Sequence, residues 1–99
     1  MNLECAKFLE AYQMTPSGTA VLLDVRNDDE VAEGLLKEAL HIPLPDLPAR
    51  LGELPREKSI YIYCRSGARA GKAKDVLERA GFSKVVVAAG GGYEQLSKL

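Results

Sequence analysis

Net charge of either sign is scarce in this sequence. Its 99 residues carry 13 basic and 14 acidic side chains, a formal net charge of -1, so no global field draws it to nucleic acid or to a membrane surface. Any anion binding falls to local charge. Long hydrophobic runs are also missing, and the longest, such as Ala20 to Leu23 and Val85 to Ala89, fall far short of a bilayer span. The opening Met1-Asn2-Leu3-Glu4 lacks the basic and apolar regions of a signal peptide, which makes a cytoplasmic location the default expectation. The two cysteines, Cys5 and Cys64, form no CxxC pair and have no histidine cluster beside them. No metal site or cofactor is expected, and two free thiols fit a reducing compartment.

What is present is an ordinary globular composition, 46% hydrophobic and 27% charged, of a length that fits one domain over residues 1–99. Leu3, Ala6, Leu9 and Tyr12 fall near helical spacing, predicting a helix from about Glu4 to Met14 that Pro16, Ser17 and Gly18 end. Ala20 to Val25 reads as a strand buried on both faces. Asn27 and Glu30 have capping-box spacing and open a short acidic helix through about Glu33. Ala39 to Ile42 is a candidate short strand, Leu47 to Gly52 a helical turn, and Ile60 to Tyr63 a strand rich in β-branched and aromatic residues. Ala73, Val76, Leu77 and Ala80 then recur with helical spacing before Gly81, Lys84 to Val87 returns as a strand, and Tyr93 to Leu99 closes as a helix after Gly90-Gly91-Gly92. Strands alternating with helices predict a three-layer α/β/α fold around a mostly parallel central sheet.

In such a sheet the ligand crevice lies beyond the carboxyl ends of the strands, and Cys64 stands at one. The amides from Arg65 to Arg69 can curl around its sulfur, since Ser66, Gly67 and Ala68 are small and Gly67 permits positive φ. An amide nest at a helix start is an anion site, and together with Arg65 and Arg69 it favours a thiolate. The same cradle would stabilise the charge of a persulfide on that sulfur. A buried cysteine at a strand end is usually plain packing, but two flanking arginines and a turn glycine point to a nucleophile here. Cys5 has no basic cluster beside it and reads as packing.

Cys64-Arg65-Ser66-Gly67-Ala68-Arg69 resembles the active-site loop C-R-x-G-x-R of single-domain rhodaneses, which are thiosulfate sulfurtransferases. Leu23-Asp24-Val25-Arg26 is similar to the family's Asp-Val-Arg signature. Gly34, Ala39, Ile42 and Pro43 fit its G-H-I-x-G-A-x-N-I-P segment, and Gly91-Gly92 its late G-G-x-x-x-W segment. The chain departs from those patterns at Leu35, Leu36, Glu38, His41 and Leu96. The resemblance implies a rhodanese-like fold and ping-pong transfer, in which Cys64 accepts a sulfane sulfur from a small anionic donor such as thiosulfate. The sulfur then passes to cyanide or a thiol, or to a sulfur-relay protein partner. Arg65 and Arg69 would attract the donor, and Ser66 could add a hydroxyl hydrogen bond.

Asp24 reads as structural support, with Arg26 an accessory anion ligand. His41, the lone histidine, stands before a proline as a packing or capping residue rather than a base. Two other readings remain: a persulfide carrier or rhodanese-like interaction module, and a phosphatase or arsenate reductase-like enzyme. Dual-specificity phosphatases place one residue more between cysteine and arginine than the four separating Cys64 from Arg69, and the tighter loop suits a single sulfur better. The acidic segment Asp28, Asp29, Glu30 and Glu33 reads as a solvated helix face before it reads as a docking surface.

Overall fold

A computed structural model describes all residues, Met1–Leu99. Five strands form one sheet: β1 (Asn2–Glu4), β2 (Ala20–Asp24), β3 (Leu40–His41), β4 (Ser59–Tyr63) and β5 (Val85–Ala89). Their spatial order is β1-β5-β4-β2-β3, and every neighbouring pair is parallel. The helices are α1 (Cys5–Gln13), α2 (Asp28–Val31), α3 (Ala68–Arg79) and α4 (Tyr93–Ser97), with a 3₁₀ segment at Leu44–Glu53 that kinks at Arg50. This is the expected three-layer α/β/α architecture.

Side chains alternate across a strand, and the alternation builds both outer layers. Leu23, Val25, Ile60, Ile62, Cys64, Val85 and Val87 face α3 and the 3₁₀ segment, meeting Ala70, Ala73, Leu77 and Leu47. Leu22, Tyr61, Tyr63 and Ala88 face the other way, against Phe8 of α1 and Leu96 of α4. Phe8 and Tyr12 each meet the Tyr61 ring edge-on at a centroid distance of 5.5 Å.

The elements differ from expectation at their margins. Asn2–Glu4 is an edge strand paired with β5, so Leu3, whose spacing with Ala6 and Leu9 suggests the first helix, belongs to the sheet instead. The acidic helix stops at Val31, two residues before Glu33, and the helical turn expected at Leu47 to Gly52 extends over the whole 3₁₀ segment. Pro45 and Pro48 lie inside that segment, and a proline removes the amide an α-helix needs.

Topology selects one crevice. From β2 the chain moves outward to β3, whereas from β4 it moves outward the other way to β5. The crevice therefore opens beyond the paired ends of β2 and β4, where Asp24 lies opposite Tyr63.

Candidate active site

Cys64 is the first residue beyond β4 and is wholly buried. Alternation points it to the same face as Ile60 and Ile62, beneath the start of α3. Its Sγ accepts hydrogen bonds from the backbone N–H of Gly67 at 3.0 Å and of Ala70 at 3.4 Å. The first amides of a helix have no partner within it, and Gly67, the N-cap of α3, offers no side chain. The sulfur takes the capping role, at the positive end of a 12-residue helix. Gly67 adopts a φ of 102°, and a Cβ there would stand 3.3 Å from the Gly90 amide.

The cradle expected from Arg65 to Arg69 thus consists of Gly67 and, one residue further into the helix, Ala70. Ser66 and Ala68 are exposed, and no hydrogen bond joins the Ser66 hydroxyl to the sulfur.

The three arginines have different fates. Arg65 is exposed and enters no ion pair. Arg69, expected to draw an anionic donor, instead gives Nη1 and Nη2 to Glu30 Oε1 and Oε2, at 2.5 and 2.8 Å. That bond holds the Glu30 carboxyl down at about 2, against the opposing effect of its burial. Arg26 is 3% exposed, and its Nε donates to both Asp24 oxygens at 3.1 and 2.9 Å. Its guanidinium also donates to the carbonyls of Glu30 at 3.3 Å and Gly34 at 2.6 Å, and lies 4.0 Å from the Tyr93 ring centroid. Arg26 thus lines the crevice with its charge compensated by Asp24.

This guanidinium organises the loop between β2 and β3. His41 Nε2 donates to the Arg26 carbonyl at 2.6 Å, because a carbonyl oxygen can only accept. The Leu36 amide donates to the Tyr63 hydroxyl at 3.2 Å, and burial pushes the pKa of that hydroxyl up. Gly34 packs so closely on Tyr93 that a Cβ would meet its hydroxyl oxygen at 2.0 Å. The departures at Leu35, Leu36 and His41 thus leave a loop that is still firmly held. At Glu38 the departure is strained: its φ is 72°, a left-handed conformation that suits the glycine of the family pattern.

Behind the cysteine, the Tyr93 amide donates to the Cys64 carbonyl at 2.8 Å. A Cβ on Gly92 would lie 2.0 Å from that same oxygen, so the glycine lets α4 approach the loop. Cys5 lies at the sulfur-loop end of the sheet but packs with the α1 face, whereas Cys64 packs with the α3 face. Both thiols are free, and burial, aided by Glu4, pushes the Cys5 thiol up.

A cleft of about 270 Å³ opens beside the loop, lined by Arg26, Glu30, Glu33, Arg65, Tyr93, Glu94 and Ser97. Sequence reading did not assign Glu30, Gly92 or Tyr93 to the site. The capping-box spacing singled out Glu30 for another reason, and the glycine pair singled out Gly92. Tyr93 had no signal beyond following that pair.

A parallel α/β sheet with a cysteine capping a helix at its topological switch defines a class of nucleophile-loop folds. Residues 8–98 match the rhodanese-like domain family, and the chain belongs to it. A sulfurtransferase of Allochromatium vinosum is 38% identical over 71 residues, 72% of this chain and 66% of that protein. The match thus spans just under two thirds of that relative. A rhodanese-like domain protein from Staphylococcus aureus superposes with a TM-score of 0.80 at 27% identity, covering 91% of this chain and 85% of its own. An NAD-dependent persulfide reductase from A. fulgidus is similar over 79% of this chain and 14% of its own, with a TM-score of 0.64 and 37% identity.

Proposed function

We propose that this chain is a sulfurtransferase working by ping-pong transfer through a Cys64 persulfide. The observation that carries this reading is the Cys64 sulfur held by the Gly67 and Ala70 amides at the N-terminus of α3. Family membership and the sulfurtransferase name of the Allochromatium vinosum relative support it as well.

In the first half-reaction the Cys64 thiolate attacks the outer sulfur of thiosulfate or a similar donor. The donor S–S bond breaks and sulfite leaves with the electron pair. A cyanide or thiol acceptor then attacks the outer persulfide sulfur, and Cys64 departs as the thiolate. Both species of Cys64 carry negative charge, which the two amides and the helix dipole stabilise. Arg65, with no carboxylate partner, meets the incoming anion, while Asp24, Arg26 and Glu30 hold the surrounding loop. The whole of residues 1–99 acts as one domain, in the cytoplasm, and a sulfur-relay protein can take the place of the small acceptor.

Thiosulfate:cyanide transfer by the wild type and Cys64→Ser tests this reading. The expected result is loss of transfer in the variant, with one added sulfur on Cys64, and none on Cys5, in the wild-type protein after thiosulfate treatment. Equal transfer by the two proteins, or turnover with Cys64 never modified, would overturn it.

A further inference from the structure

The sheet leaves half of one strand uncovered. Strand β4 pairs with all of β2, but β3, on the other side, pairs only with Leu23 and Asp24. The Thr19 carbonyl and the Val25 amide bond to Ser59 and Tyr63 of β4, so the even-numbered residues between them turn their main-chain groups the other way. The Asp24 carbonyl does so in accepting from the Ile42 amide. Ala20 and Leu22 therefore offer main-chain groups to an edge that β3 does not reach, and an unpaired edge is a template for another strand. A cleft of about 520 Å³ lies along it, at the opposite end of the sheet from Cys64. Ala20, Val21 and Leu22 form one wall, and the end of α1 at Tyr12 and Gln13 a second. Glu38 is the only charged side chain that lines the cleft. It is held there in a left-handed conformation, φ 72°, which costs a residue with a side chain energy. Burial, and after it the Glu38 carboxylate alongside, push the pKa of the Tyr12 hydroxyl up. α1 ends here with no basic residue in its last turn, so the negative end of its dipole is uncompensated.

We propose that this cleft docks an extended, lysine- or arginine-bearing segment of a partner protein, which adds to β2 in line with β3. The main chain of the segment pairs with Ala20 and Leu22, and its cation lies between Glu38 and the end of α1. Three residues of β2 offer about 10 Å of edge, enough for a segment of similar length. Side chains alternate along a strand, so one set faces α1 and Glu38, as Leu22 does, and the other lies on the Val21 side of the sheet. Glu38 and the helix end carry the same sign, and both favour a cation over a neutral or acidic side chain. The surface stands whether or not Cys64 transfers sulfur.

The experiment titrates isotope-labelled protein with the peptide acetyl-Val-Lys-Val-Lys-Val-amide and follows backbone amide shifts and amide hydrogen exchange by NMR. Saturable shifts centred on Ala20, Val21 and Leu22 are expected, with slower exchange of the Ala20 and Leu22 amides and a dissociation constant below about 1 mM. Glutamine in place of both peptide lysines, or Glu38→Gln in the protein, is expected to weaken binding by about two- to fivefold, the range of an exposed ion pair. Methylating the main-chain nitrogens of the peptide removes its ladder donors and is expected to abolish binding. The proposal is overturned by the absence of saturable shifts at about 2 mM peptide, by shifts gathered instead on Asp28, Asp29 and Glu33, or by undiminished binding of the methylated peptide. Binding that neither glutamine replacement weakens overturns it as well. None of these outcomes bears on the persulfide at Cys64.

Discussion

Arg69 and Glu30, 39 residues apart, close a two-point ion pair that ties the first turn of α3 to the first turn of α2. The pair brings the sulfur loop against the loop after β2 and removes from the site a cation that the sequence pattern offers to substrate.

Glu30→Gln breaks the charge pair while keeping a side chain able to accept from the Asn27 amide, as Glu30 does at 3.0 Å. The expected loss of stability is about 1 kcal/mol, that of a partly exposed pair, measured by urea unfolding. Arg69 is released at the same time. Loading of Cys64 by thiosulfate is expected to rise several-fold, and a fall would show that the paired arginine is the productive one.

Acid dissects the same contact. The Glu30 carboxyl is held at about 2 in the folded chain, chiefly by its bond to Arg69, and returns to the ordinary carboxylate range on unfolding. The unfolded state thus binds the proton first. The stabilisation is complete above about pH 5 and fades as the pH falls toward 2. The stability difference between wild type and Glu30→Gln is expected to be flat from pH 7 to about 5 and to shrink below it.

Arg26 and Arg65 line one cleft yet are expected to fail differently. Arg26→Ala leaves Asp24 buried without its partner and is expected to cost about 3–5 kcal/mol. Arg65→Ala removes an exposed side chain and is expected to change stability by less than about 0.5 kcal/mol, while slowing loading by anionic donors. Thermal unfolding and loading rates together separate the two roles.

Gly92→Ala places a Cβ against the Cys64 carbonyl and is expected to destabilise by about 2 kcal/mol or more, with slower sulfur loading because the loop must move. Gly52→Ala has open space and no positive φ, so it serves as the matched control. Equal unfolding midpoints for the two variants would contradict the close approach of α4 to the loop.

Glu38→Gly relieves a left-handed φ of 72°. The expected gain is about 0.5–1 kcal/mol, after the added flexibility of glycine in the unfolded chain is counted. For a domain of this size that raises the melting temperature by roughly 2–8 °C.

Local chemistry was legible in the sequence wherever one short segment contains all its own physics. The alternation of Leu22 and Leu23, or of Tyr61 and Ile62, assigns opposite sheet faces because the strand period is two. The small residues after Cys64 and the glycine at position 67 foretold a tight turn feeding a helix, since only the backbone within a few residues is involved. Short or irregular pieces were harder to read. Asn2–Glu4 is too brief to show a period, and it is a strand because β5 offers an edge to pair with.

The sequence by itself therefore determined the layered α/β order, the cysteine at a strand end, and the turn that cups its sulfur. The tertiary structure alone decided which charges remain available there. Arg26, Arg65 and Arg69 are alike in composition, but ion pairing depends on distance through space. Asp24 compensates the first, Glu30 the third, and only the fold shows that the second has no partner.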